Sequence, residues 1–307
     1  MIAFVFPGQG SQTVGMGRSL YEANTAARQV LERLDAEMGG ALLPLCFEGP
    51  DEALKDTRNA QPAIFAVSCA ALAAVRSTGI DADFVAGHSI GEYAALVAAG
   101  VIDEVEGLRV VRVRADAMAA AAERSPGTMA AVLGLDAAVV DSVCSGVSGV
   151  VGAANLNCPG QIVISGESAS VAEASELLKA AGAKRVVPLA VSGAFHSALM
   201  QSAAEVLFAH LANLKLGQAR IPVVANVTAD FETDPSEIVS NLVAQVPGRV
   251  RWTETVERLV ASGCDRFVEC GAGTVLSGLV RKTAPGVSVV SVGDVESLAK
   301  LSEGVSA

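Results

Sequence analysis

A serine in a glycine-rich turn is the residue of this chain best suited to covalent chemistry. Ser89 is the centre of a G-x-S-x-G pattern, Gly87 to Gly91, between a short apolar run and a segment of helical period. In that setting the glycines allow a tight strand-to-helix turn that projects the serine oxygen at the helix N-terminus. The helix dipole and the backbone N–H of Ile90 can then stabilise an oxyanion. The pattern predicts a nucleophile, with a plain glycine-rich turn as the alternative.

A serine nucleophile needs a base, and the chain has three histidines. His88 adjoins the serine on a sharp turn, so its ring should diverge from the serine oxygen. His210 lies with Val206 on an apolar stripe of a predicted helix, which favours a core histidine whose polar atoms are satisfied. His196 follows a strand predicted over residues 191–195, where the carboxyl edge of a parallel sheet usually carries ligand chemistry. We therefore predict that His196 is the base.

A second glycine-rich segment, Pro7 to Gln12, follows the first predicted strand. Thr13 stands in place of the third glycine of a Rossmann fingerprint, and Met16 in place of the lysine of a Walker A loop. Neither nucleotide-binding pattern therefore fits. A loop of this kind can instead bring a backbone N–H close to a reacting carbonyl, as a second oxyanion donor.

Arg114 lies in the middle of the apolar face of a helix predicted over residues 104–124, beside Met118. A buried guanidinium without partners is very costly. One interpretation is an internal ion pair. The other is a clamp for an anionic group of a substrate, because arginine binds a carboxylate through two parallel hydrogen bonds. The sequence leaves both open.

The elements that must position these residues alternate between strand-like apolar runs and helical segments, which indicates an α/β fold with a mainly parallel sheet. Between residues 126 and 191 the order becomes β-α-β-β-α-β, the pattern of a ferredoxin-like unit. We predict that residues 126–191 are inserted into an α/β-hydrolase-like parallel-sheet body of residues 1–125 and 192–307. The other predicted elements are strands at 2–6, 84–86, 129–135, 150–155, 161–165, 184–191, 222–226 and 266–269, and helices at 62–77, 90–99, 136–146, 170–181, 199–214 and 252–262.

Composition restricts the class of protein. The 307 residues are 51% hydrophobic and 18% charged, enough for a large core, and the net charge of -11 argues against nucleic acid as a partner. The first apolar run, Ile2–Phe6, is too short for a signal peptide, and Ala63–Val75 is shorter than the about 20 residues of a membrane span. The six cysteines show no C-x-x-C pairing and are typical of reduced thiols. We expect a cytoplasmic, monomeric globular protein with no membrane partner.

The chain resembles the malonyl-CoA:acyl carrier protein transacylases of bacterial fatty acid synthesis over essentially its whole length. Each motif is weak alone, but the ordered set is highly specific. The motifs are Gly8–Gln12, Gly87–Tyr93, Arg114, the Asn-x-Asn-x-Pro-x-Gln segment from Asn155 to Gln161, Gly193–Ser197 and Glu269–Gly273.

The resemblance implies a role for each candidate residue. Ser89 would be the acylated nucleophile and His196 its general base. The backbone N–H groups of Gln9 and Ile90 would form the oxyanion hole, and Arg114 would hold the malonyl carboxylate. No metal or redox cofactor is implied.

The resemblance also implies that a main-chain carbonyl, at Gln245, orients the histidine in place of an aspartate, which gives a Ser-His dyad. Met118 and Phe195 are expected to line the acyl pocket. The chain departs from the family pattern at Gly248-Arg249, where many members have Asn-Pro, and at Ala272, where proline is common. The loop that carries Gln245 is therefore expected to differ in shape.

The expected reaction is a ping-pong transfer of malonyl from malonyl-CoA to the serine, and then to the phosphopantetheine thiol of holo-acyl carrier protein. The alternatives are a trans-acting malonyl acyltransferase of a polyketide synthase, an α/β-hydrolase esterase, and a non-catalytic carrier-docking module. The esterase explains the serine turn but neither Arg114 nor the insertion. An acidic carrier also predicts a local basic rim, formed by Lys184, Arg185, Arg249, Arg251, Arg281 and Lys282.

Overall fold

The structure, a computed structural model, describes residues 1–305 as alternating strands and helices. The strands are β1 (Ile2–Phe6), β2 (Phe84–Gly87), β3 (Thr128–Leu133), β4 (Val151–Cys158), β5 (Gln161–Gly166), β6 (Arg185–Pro188), β7 (Val223–Val224), β8 (Phe231–Glu232), β9 (Arg266–Cys270) and β10 (Ser288–Val292). The helices are α1 (Arg18–Ala23), α2 (Thr25–Glu37), α3 (Leu42–Glu48), α4 (Asp51–Lys55), α5 (Thr57–Ser77), α6 (Gly91–Ala98), α7 (Glu104–Arg124), α8 (Ala137–Ser145), α9 (Ser168–Ala180), α10 (Gln201–Leu211), α11 (Pro235–Gln245), α12 (Trp252–Ala261), α13 (Val275–Thr283) and α14 (Val295–Val305).

The larger of two sheets has the strand order β10-β9-β1-β2-β7-β8. Its strands are parallel except β8, which pairs antiparallel with β7 at one edge. The central β1 is buried from Ala3 to Phe6, as expected for a parallel strand covered by helices on both faces. Phe6 pairs with Gly87 at the carboxyl ends of β1 and β2. The loops that follow these two strands therefore meet at one edge of the sheet.

The smaller sheet is antiparallel, with the order β4-β5-β3-β6, and α8 and α9 connect its strands. This is the βαββαβ arrangement of a ferredoxin-like unit, so the predicted fold class is confirmed. The sheet contacts the body through β4, where Leu156 N donates to Val250 O (2.9 Å) and Val250 N donates to Ala154 O (2.8 Å). All four strands lie within residues 126–191, although the domain boundaries themselves remain a prediction.

Helices α5 and α7 lie side by side in the main core of the body. Asp103 caps α7 by accepting from the N–H groups of Val105 and Glu106, which fixes where the helix starts and which face it buries. In the described chain, α5 alone is long and apolar enough to cross a bilayer, and 83% of its most apolar window is buried inside the protein. Such burial is typical of the core helix of a globular domain.

The predicted elements are confirmed with shifts at their ends, except for one strand. β1 and α7 have the predicted bounds, whereas α5 begins at Thr57, earlier than predicted, because Asp56 caps it there. The strand predicted over residues 191–195 is wrong, because that segment forms bends and a turn. β6 ends before it at Pro188, and Leu189 N makes the last hydrogen bond to β3, at Met129 O (2.9 Å).

Candidate active site

The serine turn connects β2 directly to α6. Ser89 has a φ of 52°, in the left-handed region that non-glycine residues rarely adopt. A Cβ at Gly87 would lie 2.0 Å from the carbonyl carbon of Gly91, and one at Gly91 would lie 2.1 Å from Phe6 O. Both positions therefore require glycine. The turn has the geometry of a nucleophile elbow, which exposes the serine oxygen to the cavity beside it.

His196 contacts the serine directly, with 2.7 Å between Nε2 and Ser89 Oγ. Its Nδ1 lies 2.9 Å from Gln245 O and 3.1 Å from Gly248 O. Because only carbonyl oxygens face Nδ1, that nitrogen carries the proton and Nε2 is free to accept one. Burial, together with the positive charge of Arg114, lowers the pKa of His196 to about 3. The imidazole is therefore neutral at neutral pH, as a general base must be.

Two backbone N–H groups beside the serine have no acceptor among the residues that the structure describes. They belong to Gln9, in the loop after β1, and to Ile90, after the nucleophile, and both residues line the cavity. Gly8 makes this approach possible, since a Cβ there would lie 2.7 Å from His88 O. Free backbone donors that line one cavity with the serine are what an oxyanion hole requires, and this role stays a prediction.

Arg114 is 1% exposed, and its guanidinium is held by neutral groups. Nη1 donates to Gln61 Oε1 (2.6 Å), while Nη2 donates to Gln245 Oε1 (2.9 Å) and to Ser89 Oγ (3.1 Å). The guanidinium carbon lies 5.6 Å from the centre of the Tyr93 ring. No carboxylate of the described residues pairs with it, so the internal ion pair is not formed. A buried cation that no carboxylate of the described residues contacts, at the wall of a cavity, is suited to an anionic ligand.

A cavity of about 430 Å³ lies between the body and the smaller sheet. Its size is in the range of ligand pockets. Met118 and Phe195, the two residues expected in an acyl pocket, both line it. Within residues 1–305, no group of three or more His, Cys, Asp or Glu side chains could hold a metal ion. The main lining residues are Gly8, Gln9, Lys55, His88, Ser89, Ile90, Arg114, Met118, Asn155, Asn157, Gln161, Val163, Phe195, His196, Val275 and Leu279.

The other two histidines do not reach the serine oxygen. His88 bonds through Nε2 to Asn157 Oδ1 (2.9 Å), so its ring is directed away from the serine as predicted. The prediction for His210 is wrong: its buried Nε2 has no hydrogen-bond partner. Val206, expected on the same buried stripe, is 48% exposed because that part of α10 faces solvent.

Four residues for which no role was predicted complete the site. Gln61 holds Arg114, the Gly248 carbonyl holds His196, and Asn226 and Glu92 bond to the serine turn and its neighbours. Gln61 is a polar residue on an otherwise apolar stretch of α5, and Asn226 follows β7 at the carboxyl edge of the sheet. These two signals could have been recognised in the sequence, whereas a loop carbonyl leaves no trace in it.

Comparisons with known proteins agree with this geometry. Residues 3–302 match the family model described as acyl transferase domain. The malonyl CoA-acyl carrier protein transacylase of Bacillus subtilis is 46% identical over 97% of this chain and 95% of its own length. The structure of an acyl-carrier-protein S-malonyltransferase from Bartonella henselae is 44% identical, with a TM-score of 0.95 over 100% of this chain and 99% of that one. A malonyl-transacylase solved in complex with its type II PKS acyl-carrier protein is 40% identical, with a TM-score of 0.96 over 99% of both chains.

Proposed function

The chain is a member of the acyl transferase domain family, and we propose that it transfers a malonyl group from malonyl-CoA to the phosphopantetheine thiol of holo-acyl carrier protein. The observation that carries this proposal is the 2.7 Å contact between Ser89 and His196 beside the buried guanidinium of Arg114. The first pair supplies a nucleophile and its base, and the guanidinium supplies recognition of a free carboxylate. The names of the relatives support the same reaction.

In the proposed mechanism, His196 Nε2 takes the proton of Ser89 as Oγ attacks the thioester carbonyl of malonyl-CoA. The oxyanion accepts hydrogen bonds from Gln9 N and Ile90 N, each of which contributes about 3 kcal/mol on the scale of known oxyanion donors. The intermediate collapses to malonyl-serine, and the CoA sulfur leaves with the proton from His196. The carrier thiol then attacks malonyl-serine by the reverse route, while Arg114 holds the malonyl carboxylate throughout.

The histidine needs no acidic partner in this scheme, since two carbonyls hold its Nδ1 proton. One of those carbonyls belongs to Gly248, a position where the chain departs from the family pattern. We expect no cofactor, because exchange of an acyl group between thiols changes no oxidation state. The six cysteines are free and buried, which is consistent with a reducing compartment, so we place the protein in the cytoplasm. A monomeric state stays a prediction.

A trans-acting malonyl acyltransferase of a polyketide synthase is the second candidate. It is favoured by the similarity to a malonyl-transacylase bound to a type II PKS carrier, and it uses the same chemistry. Comparing transfer to fatty acid and polyketide carrier proteins distinguishes the two. An esterase would not need the buried cation at Arg114.

Intact-mass analysis tests the proposed function most directly. After incubation with malonyl-CoA, the protein should gain the mass of one malonyl group, and holo-carrier protein should remove it. Apo-carrier protein, which lacks the thiol, is the control and should leave the adduct in place. Turnover of simple esters without any malonyl adduct would favour an esterase instead.

The structure leaves fewer uncompensated charges in the predicted basic rim than expected, because two of its six residues form ion pairs. Arg249 is paired with Asp141 (2.6 Å) and Arg251 with Glu254, so their charges are compensated. Lys282 lies beside the cavity, because its Nζ is 3.3 Å from Oε1 of Gln161, which lines it.

We expect the KM for carrier protein to rise with ionic strength more steeply than the KM for malonyl-CoA, because many weak ion pairs are screened together. Lys282→Ala should reduce that salt slope, measured in steady-state assays. Lys179→Ala, on the exposed face of α9, is the matched control. Equal slopes for both substrates would argue against a basic rim.

Phe195 is expected to disfavour branched acyl groups. Its ring is 5% exposed and lines the cavity, in the space that an α-methyl group would need. Phe195→Ser should raise the ratio of kcat/KM for methylmalonyl-CoA to kcat/KM for malonyl-CoA. The expected change corresponds to about 1–3 kcal/mol of transition-state free energy, the usual value of one methyl group. Phe208→Ser, at a side chain 55% exposed on α10, is the control. An unchanged ratio in Phe195→Ser would mean that the ring does not border the acyl pocket.

A further inference from the structure

Glu92 is a fully buried carboxyl group in the first turn of α6. Its Oε2 accepts two hydrogen bonds, from Asn226 N (2.8 Å) and from Gln245 Nε2 (3.1 Å). It lines no part of the cavity, and among the described residues it makes no salt bridge, although the charge of Arg114 acts on it and opposes the rise in its pKa that burial causes. Burying a carboxyl group costs free energy unless it is hydrogen-bonded, so its two donors are the contacts that keep it there.

The first donor holds the serine turn. Asn226 Oδ1 accepts from Ser89 N (2.7 Å), and its Nδ2 donates to Gly87 O (2.6 Å). One side chain thus bridges two residues of the strained turn. The backbone N–H of the same Asn226 is the group that Glu92 binds, so the carboxyl group fixes the position of that bridge.

The second donor contacts the remaining reacting groups. The backbone carbonyl of Gln245 accepts from His196 Nδ1 (2.9 Å), and its Oε1 accepts from Arg114 Nη2 (2.9 Å). Its Nε2, besides binding Glu92, donates to Ser89 O (3.1 Å). Gln245 therefore contacts the base, the cation and the nucleophile, and Glu92 holds it by the amide end.

We propose that Glu92 is a positioning residue for malonyl transfer, which keeps the serine turn, the histidine and the arginine in one geometry through Asn226 and Gln245. This inference rests on the proposed function. Misplacement of a reacting group by about 1 Å can cost about 10²-fold in rate, so a shared anchor for three groups has a large effect. Only Oε2 of Glu92 takes part, since its Oε1 has no partner among the described residues, so the positioning effect depends on one oxygen.

What the network requires of Glu92 is an accepting oxygen. Burial, reinforced by the charge of Glu232, raises the pKa of Glu92. Because one oxygen, Oε2, accepts both hydrogen bonds, a side chain of the same shape with a single accepting oxygen is a close substitute. Glutamine meets that description, whereas methionine has similar volume but no comparable acceptor.

The experiment compares Glu92→Gln and Glu92→Met with the wild-type protein and with Glu232→Met. Glu232 is also buried, but it accepts from Asn241 and contacts none of the reacting groups. For each protein, the melting temperature, the fraction acylated by malonyl-CoA, the kcat per acylable serine and the malonyl-to-acetyl preference are measured. Dividing kcat by the fraction of protein that malonyl-CoA can acylate excludes unfolded molecules from the comparison.

We expect Glu92→Met to lower kcat per acylable serine by about 10- to 100-fold and to reduce the malonyl preference. Glu92→Gln should stay within about threefold of the wild-type kcat, since it keeps an acceptor. Glu232→Met should lose stability but keep the wild-type kcat per serine. A Met variant with wild-type kcat, or a Gln variant as impaired as the Met variant, would overturn the proposal.

Two further results keep the test decisive. If Glu92→Met does not fold, Glu92→Asp replaces it, because aspartate keeps the acid but withdraws it by one methylene; a folded Asp variant with wild-type kcat would also overturn the proposal. Wild-type protein that forms no malonyl adduct would contradict the proposed function instead, so the two failures are distinguishable.

Discussion

Ser89→Ala is expected to abolish the malonyl adduct, and with it all transfer to carrier protein. Alanine removes the hydroxyl group that forms the acyl-enzyme bond. It keeps the Cβ that serine already places on the left-handed backbone (φ 52°), so it adds no backbone strain. The fold should therefore persist. Intact-mass analysis with malonyl-CoA measures the adduct, and the melting temperature checks the fold. A full-stoichiometry adduct in this variant would place the nucleophile elsewhere.

His196→Ala belongs to the same prediction, since the base activates the serine across 2.7 Å. Loss of a general base should slow acylation by about 10²–10⁴-fold without preventing folding. His210→Ala, on α10 outside the site, is the matched histidine control. Acylation at the wild-type rate in His196→Ala would exclude the dyad.

The pH dependence gives a second measure of His196. The imidazole works as a base only when neutral, and burial with the Arg114 charge lowers its pKa to about 3, below the usual value of about 6.5. As pH falls, kcat/KM for malonyl-CoA should therefore persist well below pH 6.5 before it declines. A decline centred at the ordinary histidine pKa would show that His196 is solvated in the working enzyme.

Local chemistry in the sequence predicted the serine turn and the helix that carries Arg114. The turn requires glycine at two positions where no Cβ fits, and such a requirement is visible in the pattern itself. The bounds of α7 follow from a capping aspartate and an unbroken helical period, both of which are local. The apolar position of Arg114 on that helix likewise predicted its burial, and it is 1% exposed.

Contacts between distant segments could not be predicted in the same way. His196 was placed after a strand, but it lies in a turn with φ 57°. Two carbonyls hold it there: that of Gln245, the last residue of α11 rather than a loop residue as expected, and that of Gly248 in the loop after α11. Local propensity does not describe a conformation that tertiary contacts impose. Arg114 has Gln61 and Gln245 as partners, and these two residues come from segments far apart in the chain. The sequence therefore indicated that the cation must have partners, without identifying them.

Arg114→Ala is expected to lower kcat/KM for malonyl-CoA. The loss should correspond to more than about 2 kcal/mol of transition-state stabilisation, the scale of a lost hydrogen bond to a charged group. The buried guanidinium has only neutral partners in the free protein, so the malonyl carboxylate would be its counterion. A neutral acetyl group leaves that charge uncompensated, which is the kind of mismatch a site rejects most strongly. Removing the charge removes the penalty, so acetyl transfer should hold steady or rise.

A purely structural role for Arg114 makes different predictions, because loss of Gln61 and Gln245 contacts alone would impair all acyl groups equally. Arg112→Ala, at an exposed position on the same helix, controls for the loss of an arginine from α7. The kcat/KM values for malonyl-CoA and acetyl-CoA are measured beside the melting temperature. Since the Arg114 charge also contributes to the low pKa of His196, Arg114→Ala should move the acid limb of the pH profile upward. Parallel losses toward both acyl groups, with an unmoved acid limb, would exclude the carboxylate clamp.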